Sequence, residues 1–122
     1  MSKNKILKPA ILVDLKNPLI RIHKDTLYLI GNPEYILLLV NPEEHSLAVL
    51  PSDKSDTKAH YVSRNSLNNK KSVELYSTSL IKNLRNLCKE WVDNKAYRIY
   101  GEAVPNQNII RFNMLESFSI NE

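Results

Sequence analysis

The chain has 122 residues, 43% hydrophobic and 25% charged, a balance that suits one globular domain with its own core and leaves no room for two. Its formal net charge of +4 is unevenly spread: residues 1–18 and 52–72 each carry +3, residues 19–51 carry −2, and residues 73–122 balance. A lone cysteine, Cys88, excludes an intrachain disulfide, and no apolar run approaches the ~20 residues of a membrane-spanning helix, so a reducing, cytoplasmic setting without membrane contact is expected.

Met1–Lys8 is polar and basic, and Ala10–Leu15 is apolar enough for a strand. After Asn17-Pro18, Leu19–His23 alternates apolar Leu19, Ile20 and Ile22 with Arg21 and His23, as a strand does. Asp25 is expected to cap a short helix over Asp25–Ile30, which Gly31-Asn32-Pro33 stops. Tyr35–Val40 is apolar throughout, which predicts a central strand buried on both faces. A turn at Asn41-Pro42-Glu43-Glu44 leads to a hairpin partner, Ser46–Leu50, ended by Pro51. Residues 52–72 are the least patterned, with a short edge strand expected within Ala59–Ser63. A strand over Val73–Tyr76 precedes the clearest period in the chain. Leu80, Ile81, Leu84, Leu87, Cys88 and Trp91 form one face of a helix over Thr78–Trp91, capped by Ser77 or Thr78. Ala96–Glu102 and Ile109–Met114 then read as two strands around a Pro105-Asn106-Gln107-Asn108 turn.

The order strand-helix-strand-strand therefore occurs twice, over 19–51 and 73–115, joined by the polar connection 52–72. The reading is a single α+β domain over 1–122, mainly β. A tandem β-α-β-β repeat forms a pseudo-two-fold, swapped-hairpin-like barrel or sheet with two helices, as a monomer or a homodimer. Ile36, Leu38, Val40, Ile99 and Ile109 are expected in a core shared by the two units.

Ile22-His23-Lys24-Asp25, followed by Leu27, Leu29 and Gly31 and by two hydrophobic strands around a Pro/Glu turn, resembles the AbrB/MazE-type swapped-hairpin DNA-binding domains. Their pattern is Ile-Pro-Lys-Glu, a short helix ending in Leu-Gly, and a hydrophobic hairpin closed by Lys-Pro. Lys24, Asp25 and Gly31 match at the same spacing, His23 replaces the Pro, and Leu50-Pro51 matches the closing pair only in its Pro. The resemblance covers about a quarter of the chain. Such domains interleave hairpins from two chains, and a tandem copy in one chain, as in the MraZ proteins, makes a pseudo-dimer. The resemblance implies a DNA-binding transcriptional regulator. Of that family's basic cluster around the first strand and helix, Arg21 and Lys24 are present here; the second copy has Ser77-Thr78 in the corresponding place.

The residues expected to meet nucleic acid are Arg21, Lys24, Lys70, Lys71, Arg98 and Arg111, because Arg and Lys neutralise phosphate and Arg can also fork onto guanine edges. Arg98 and Arg111 lie on facing strands of the second hairpin, where pairing with Glu74, Glu102 or Glu116 competes. No metal-ligand spacing links His23, His45 and His60, Cys88 belongs to an apolar helix face, and no phosphate-binding glycine loop is present. Neither catalytic residues nor a metal or cofactor is expected. Double-stranded DNA is the leading partner. The alternative is a non-enzymatic protein-interaction or scaffold module that keeps the fold without binding DNA.

Overall fold

The computed structural model describes residues 6–62 and 71–120. Among them nine strands form one antiparallel, nearly closed barrel-like sheet with two helices against it. The strands are β1 (Ala10–Asp14), β2 (Leu19–His23), β3 (Tyr35–Asn41), β4 (Ser46–Ser52), β5 (His60–Tyr61), β6 (Ser72–Leu75), β7 (Ala96–Ala103), β8 (Ile110–Asn113) and β9 (Phe118–Ile120). Helix α1 (Lys24–Leu29) follows β2, and α2 (Thr78–Leu87) follows β6. The strand order is β5-β3-β4-β8-β7-β1-β2-β6, with β9 added beside β7.

Two-residue alternation explains which face each strand buries. Ile11 and Val13 of β1, Ile20 and Ile22 of β2, Tyr97 and Ile99 of β7, and Ile110 and Phe112 of β8 all enter one core with Ile36, Leu47 and Val49. Strand β7 pairs with β1 through Ala96–Tyr100 and, on its other edge, with β9 through Ala96–Arg98 and β8 through Gly101–Ala103. It thereby joins the β6-β2-β1 side of the molecule to the β8-β4-β3 side. Gly101 stands where β7 passes under β8. A Cβ there would lie 2.5 Å from the Phe112 ring and 2.8 Å from Ile110, so only glycine lets those two buried side chains close over the strand.

The helices are fastened differently. Helix α1 is capped by His23, whose Nδ1 accepts the Asp25 backbone N–H at 3.1 Å; the expected cap, Asp25, lies inside the first turn because the helix starts one residue earlier. Buried Thr26 ties α1 to β1: its Oγ1 accepts from the Ala10 N–H at 2.9 Å and donates to the Ala10 carbonyl at 3.1 Å. Helix α2 is capped by Ser77 and buries Ile81 and Leu84, with Leu80, Leu87 and Cys88 packed at the margin.

Four expectations are corrected. Helix α2 ends at Leu87, not Trp91. Trp91 reaches the core from a turn, its N–H bonded to the Cys88 carbonyl, its ring stacked 4.8 Å from Tyr97 and its indole N–H donated to Ser117. Strand β3 is not central: its outer neighbour is the two-residue β5, so only Ile36 is fully buried and Leu39 stays 50% exposed. Ile109 precedes β8 and is only half-buried; the inward positions belong to Ile110 and Phe112. Pro51 does not end β4: β8 pairs with β4 only as far as Val49, and beyond it a residue without an N–H is tolerated beside the single neighbour β3.

Candidate nucleic-acid interface

The strand registers decide which side chains meet on the outside of the sheet. Across β6, β2, β1, β7 and β9, one continuous row reads Glu74, Arg21, Leu12, Arg98, Phe118. Beside it, Ser72 pairs with His23 and Ala10 with Tyr100. These residues have the opposite parity to the core set, so they share the outer face. All but Glu74 and Phe118, at the two ends of the row, line a groove of about 660 Å³, with Ala10 and Leu12 in its floor, Arg21 and Arg98 on either side, and Lys8, His23, Asp25, Lys71 and Tyr100 around it. The floor is closely covered: Ala10 is 7% and Leu12 6% exposed although neither points into the core.

Four cationic side chains, Lys8, Arg21, Lys71 and Arg98, and one carboxylate, Asp25, line the groove. Arg21 donates to Glu74 at 3.1 Å, and Glu74 also accepts from the Tyr76 hydroxyl. Among the described residues no carboxylate comes within ion-pair distance of Lys71 or Arg98. The Asp25 carboxylate accepts the Lys8 backbone N–H at 3.2 Å and so fixes the basic arm against the groove. The Lys8 ammonium stands 4.0 Å from the centre of the Tyr100 ring, and that ring lies 5.8 Å from Phe118. Burial holds the His23 pKa below its usual value. Asp25 opposes this, while Lys24, Arg98 and Lys71 reinforce it, so the imidazole is neutral near pH 7 and its Nδ1 remains an acceptor.

Of the expected contact residues, the groove brings together Arg21, Lys71 and Arg98. Lys24 is exposed on α1 at its margin, its backbone N–H bonded to the Lys71 carbonyl. Arg111 is elsewhere: it lies on β8 opposite Glu102 and donates to Glu44 at 3.1 Å, so it does not share the groove with Arg98. Lys70 lies outside the described residues. Sequence reasoning missed Lys8 and Tyr100 as members of this site, and Phe118 as the ring beside Tyr100. The signal for Tyr100 was its place two residues from Arg98, which puts both on one face of the strand. Nothing local marked Phe118, whose strand of three residues exists only because it pairs with β7.

No family model, no curated protein and no solved structure matches the chain.

A second cavity, of about 690 Å³, lies at the C-terminal end of α2 and is lined by Cys88, Trp91, Met114 and Phe118 among others. Burial pushes the Cys88 thiol up to about 11, with Arg85 opposing, so it stays protonated and is a poor nucleophile. Among the described residues no group of three His, Cys, Asp or Glu side chains is placed to hold a metal ion. No helix among them is long and apolar enough to cross a membrane.

Proposed function

We propose that this chain is a DNA-binding regulator of the swapped-hairpin type, and that it meets duplex DNA with the outer face of β2, β1 and β7. The observation that carries this reading is the row Arg21–Leu12–Arg98 with Lys8 and Lys71 beside it. Two strands apart, the two arginines flank a shallow channel whose cations exceed its carboxylates, which is the electrostatic footprint of a phosphate-binding surface.

The strand order supports the tandem arrangement. Exchanging β1 with β5, β2 with β6, β3 with β7 and β4 with β8 turns each neighbour pair along the order into another observed pair, except that β1–β2 becomes β5–β6. The pairs that exchange onto themselves, β2–β6 and β4–β8, are antiparallel, as a two-fold axis between them requires. A pseudo-dimer made from one chain has this connectivity.

Binding to random duplex DNA across a salt series tests the function. Affinity should fall linearly on logarithmic axes, by about 0.9 per phosphate neutralised. Replacing Lys71 and Arg98 together by Ala should flatten that slope by about two units. A protein with no duplex affinity at low salt would shift the reading to a protein-interaction module. That second reading draws on the Arg21–Glu74 and Arg111–Glu44 pairs, which already engage two of the expected contact residues.

A further inference from the structure

We infer that the groove on the outer face of β2, β1 and β7 receives an unpaired nucleotide of the DNA, its base against Tyr100 and its phosphates on Arg98, Arg21 and Lys71. This rests on the DNA-binding reading above and names what the same site takes.

Three features of the groove go beyond what a duplex needs. The first is its shape. An intact duplex is a convex rod that offers phosphates outside and only base edges in its grooves, and it can touch the arginine ends at the rim. A single unpaired nucleotide is small enough to lie between them, within a groove of this volume. A cavity of about 660 Å³ has the size range of sites that enclose a small ligand.

The second is the Tyr100 ring. Tyr100 lines the groove and is 38% exposed beside Arg98, and Phe118, which lines the cavity at the end of α2, stands behind it with ring centres 5.8 Å apart at 35°. Cations next to exposed rings form the combination that holds unstacked bases, since every base has a face to stack and the neighbouring charge follows the backbone. One face of Tyr100 now carries the Lys8 ammonium at 4.0 Å. Lys8 is exposed and its stem is flexible, so a base can take the ring while the ammonium moves to a phosphate.

The third is Asp25. A carboxylate in a groove that bound phosphate alone would repel its ligand. At this end of the groove the Asp25 carboxylate can instead accept from the exocyclic amino group of a base edge.

The test uses fluorescence-labelled DNA and the full chain. Anisotropy titrations compare a fully paired duplex, the same duplex with one bulged adenine, and a single strand of equal length. Stacking one base on an aromatic side chain corresponds to a factor of about 5 to 150 in affinity. The bulged duplex should therefore bind at least five-fold more tightly than the paired one. Tyr100→Ala should abolish that difference and Tyr100→Phe should retain it, with thermal melts showing both variants folded. Tyr61→Ala, which removes an exposed ring on β5 away from the groove, should change neither affinity. Equal binding of bulged and paired duplex would overturn the inference and leave the DNA-binding reading in place, as would a loss on Tyr61→Ala equal to that on Tyr100→Ala. Preference for the single strand that depends on Tyr100 would support it. No binding of any of the three DNAs at low salt would overturn the DNA-binding reading and this inference together.

Discussion

The two helices occupy matching places in the chain order, yet opposite chemistry holds them. Helix α2 has ten residues and an apolar stripe, so Ile81 and Leu84 fix it by burial. Helix α1 has six residues, too few for a stripe, and buries only Thr26 and Leu27. Hydrogen bonds supply what burial cannot: His23 caps it, Thr26 bonds both backbone groups of Ala10, and Asp25 holds the Lys8 N–H. The basic groove lies against the polar helix. The same bonds that fasten α1 bring Lys8, His23 and Asp25 to one place, whereas the start of α2 presents Tyr76, Ser77 and Thr78 and no base. A helix fastened by burial needs no particular surface chemistry, while a helix fastened by polar groups organises the surface around it.

The largest effect that would break this comparison is at Leu84. Leu84→Ala removes a fully buried side chain from mid-stripe and should cost about 3–4 kcal/mol, measured as a lower denaturation midpoint at unchanged slope. A loss below about 1 kcal/mol would mean that α2 does not depend on its stripe. Thr26→Val keeps the shape of the side chain and deletes its bonds, leaving the buried N–H and carbonyl of Ala10 without that partner. It should cost about 1–3 kcal/mol, and Thr26→Ser should recover much of it. If Val were tolerated as well as Ser, the polar fastening of α1 would be incidental.

A smaller effect concerns pH. The folded-state pKa of His23 lies below its unfolded value because burial disfavours the imidazolium. Between the two values the unfolded chain binds the proton and the folded chain does not, so stability falls as pH drops below about 6.5 and levels off beneath the folded pKa. His60 is shifted the same way by burial, so the comparison needs a variant. His23→Asn keeps a capping acceptor without a titrating group, and should make the loss of stability between neutral and acidic pH smaller than in the parent. Identical pH profiles would show that the His23 cap is insensitive to its proton. Smallest of all, Lys82→Ala on the exposed side of α2 should stay within about 0.5 kcal/mol, as a helix held by its opposite face requires.

Much of the β framework was legible because short alternating runs between Pro, Asn and Gly leave few options: Leu19–His23 is a strand to the residue, and Ser77 caps α2. The misses share a cause. Tyr35–Val40 looks central because its residues are apolar, but centrality depends on how many strands pair beyond it, and β5 is only two residues long. Trp91 continues the helical period of α2, yet it is carried by a turn whose Val92 N–H bonds the Tyr97 hydroxyl, a tertiary contact that no local pattern reports. The candidate site was half legible for the same reason. Arg21, Lys71 and Arg98 stood out by type, but their meeting depends on Leu12 pairing with both Arg21 and Arg98, and Arg111 lies apart because its strand, β8, sets it between Ala48 and Glu102, outside the groove.

Strand β7 has a consequence for how the chain is made. The hairpins β1–β2 and β3–β4 join residues near one another, but β1 finds its other neighbour only through pairs such as Ile11 with Ile99. During synthesis from the N-terminus, the open edge of β1 waits for β7 and that of β4 for β8, both far along the chain. Assembly dominated by such distant pairings is slow. Until residues 96–113 leave the ribosome, the nascent chain carries open strand edges beside exposed isoleucines and leucines, the condition under which partly made proteins associate wrongly. The window of risk for this protein closes only once β7 and then β8 are in place.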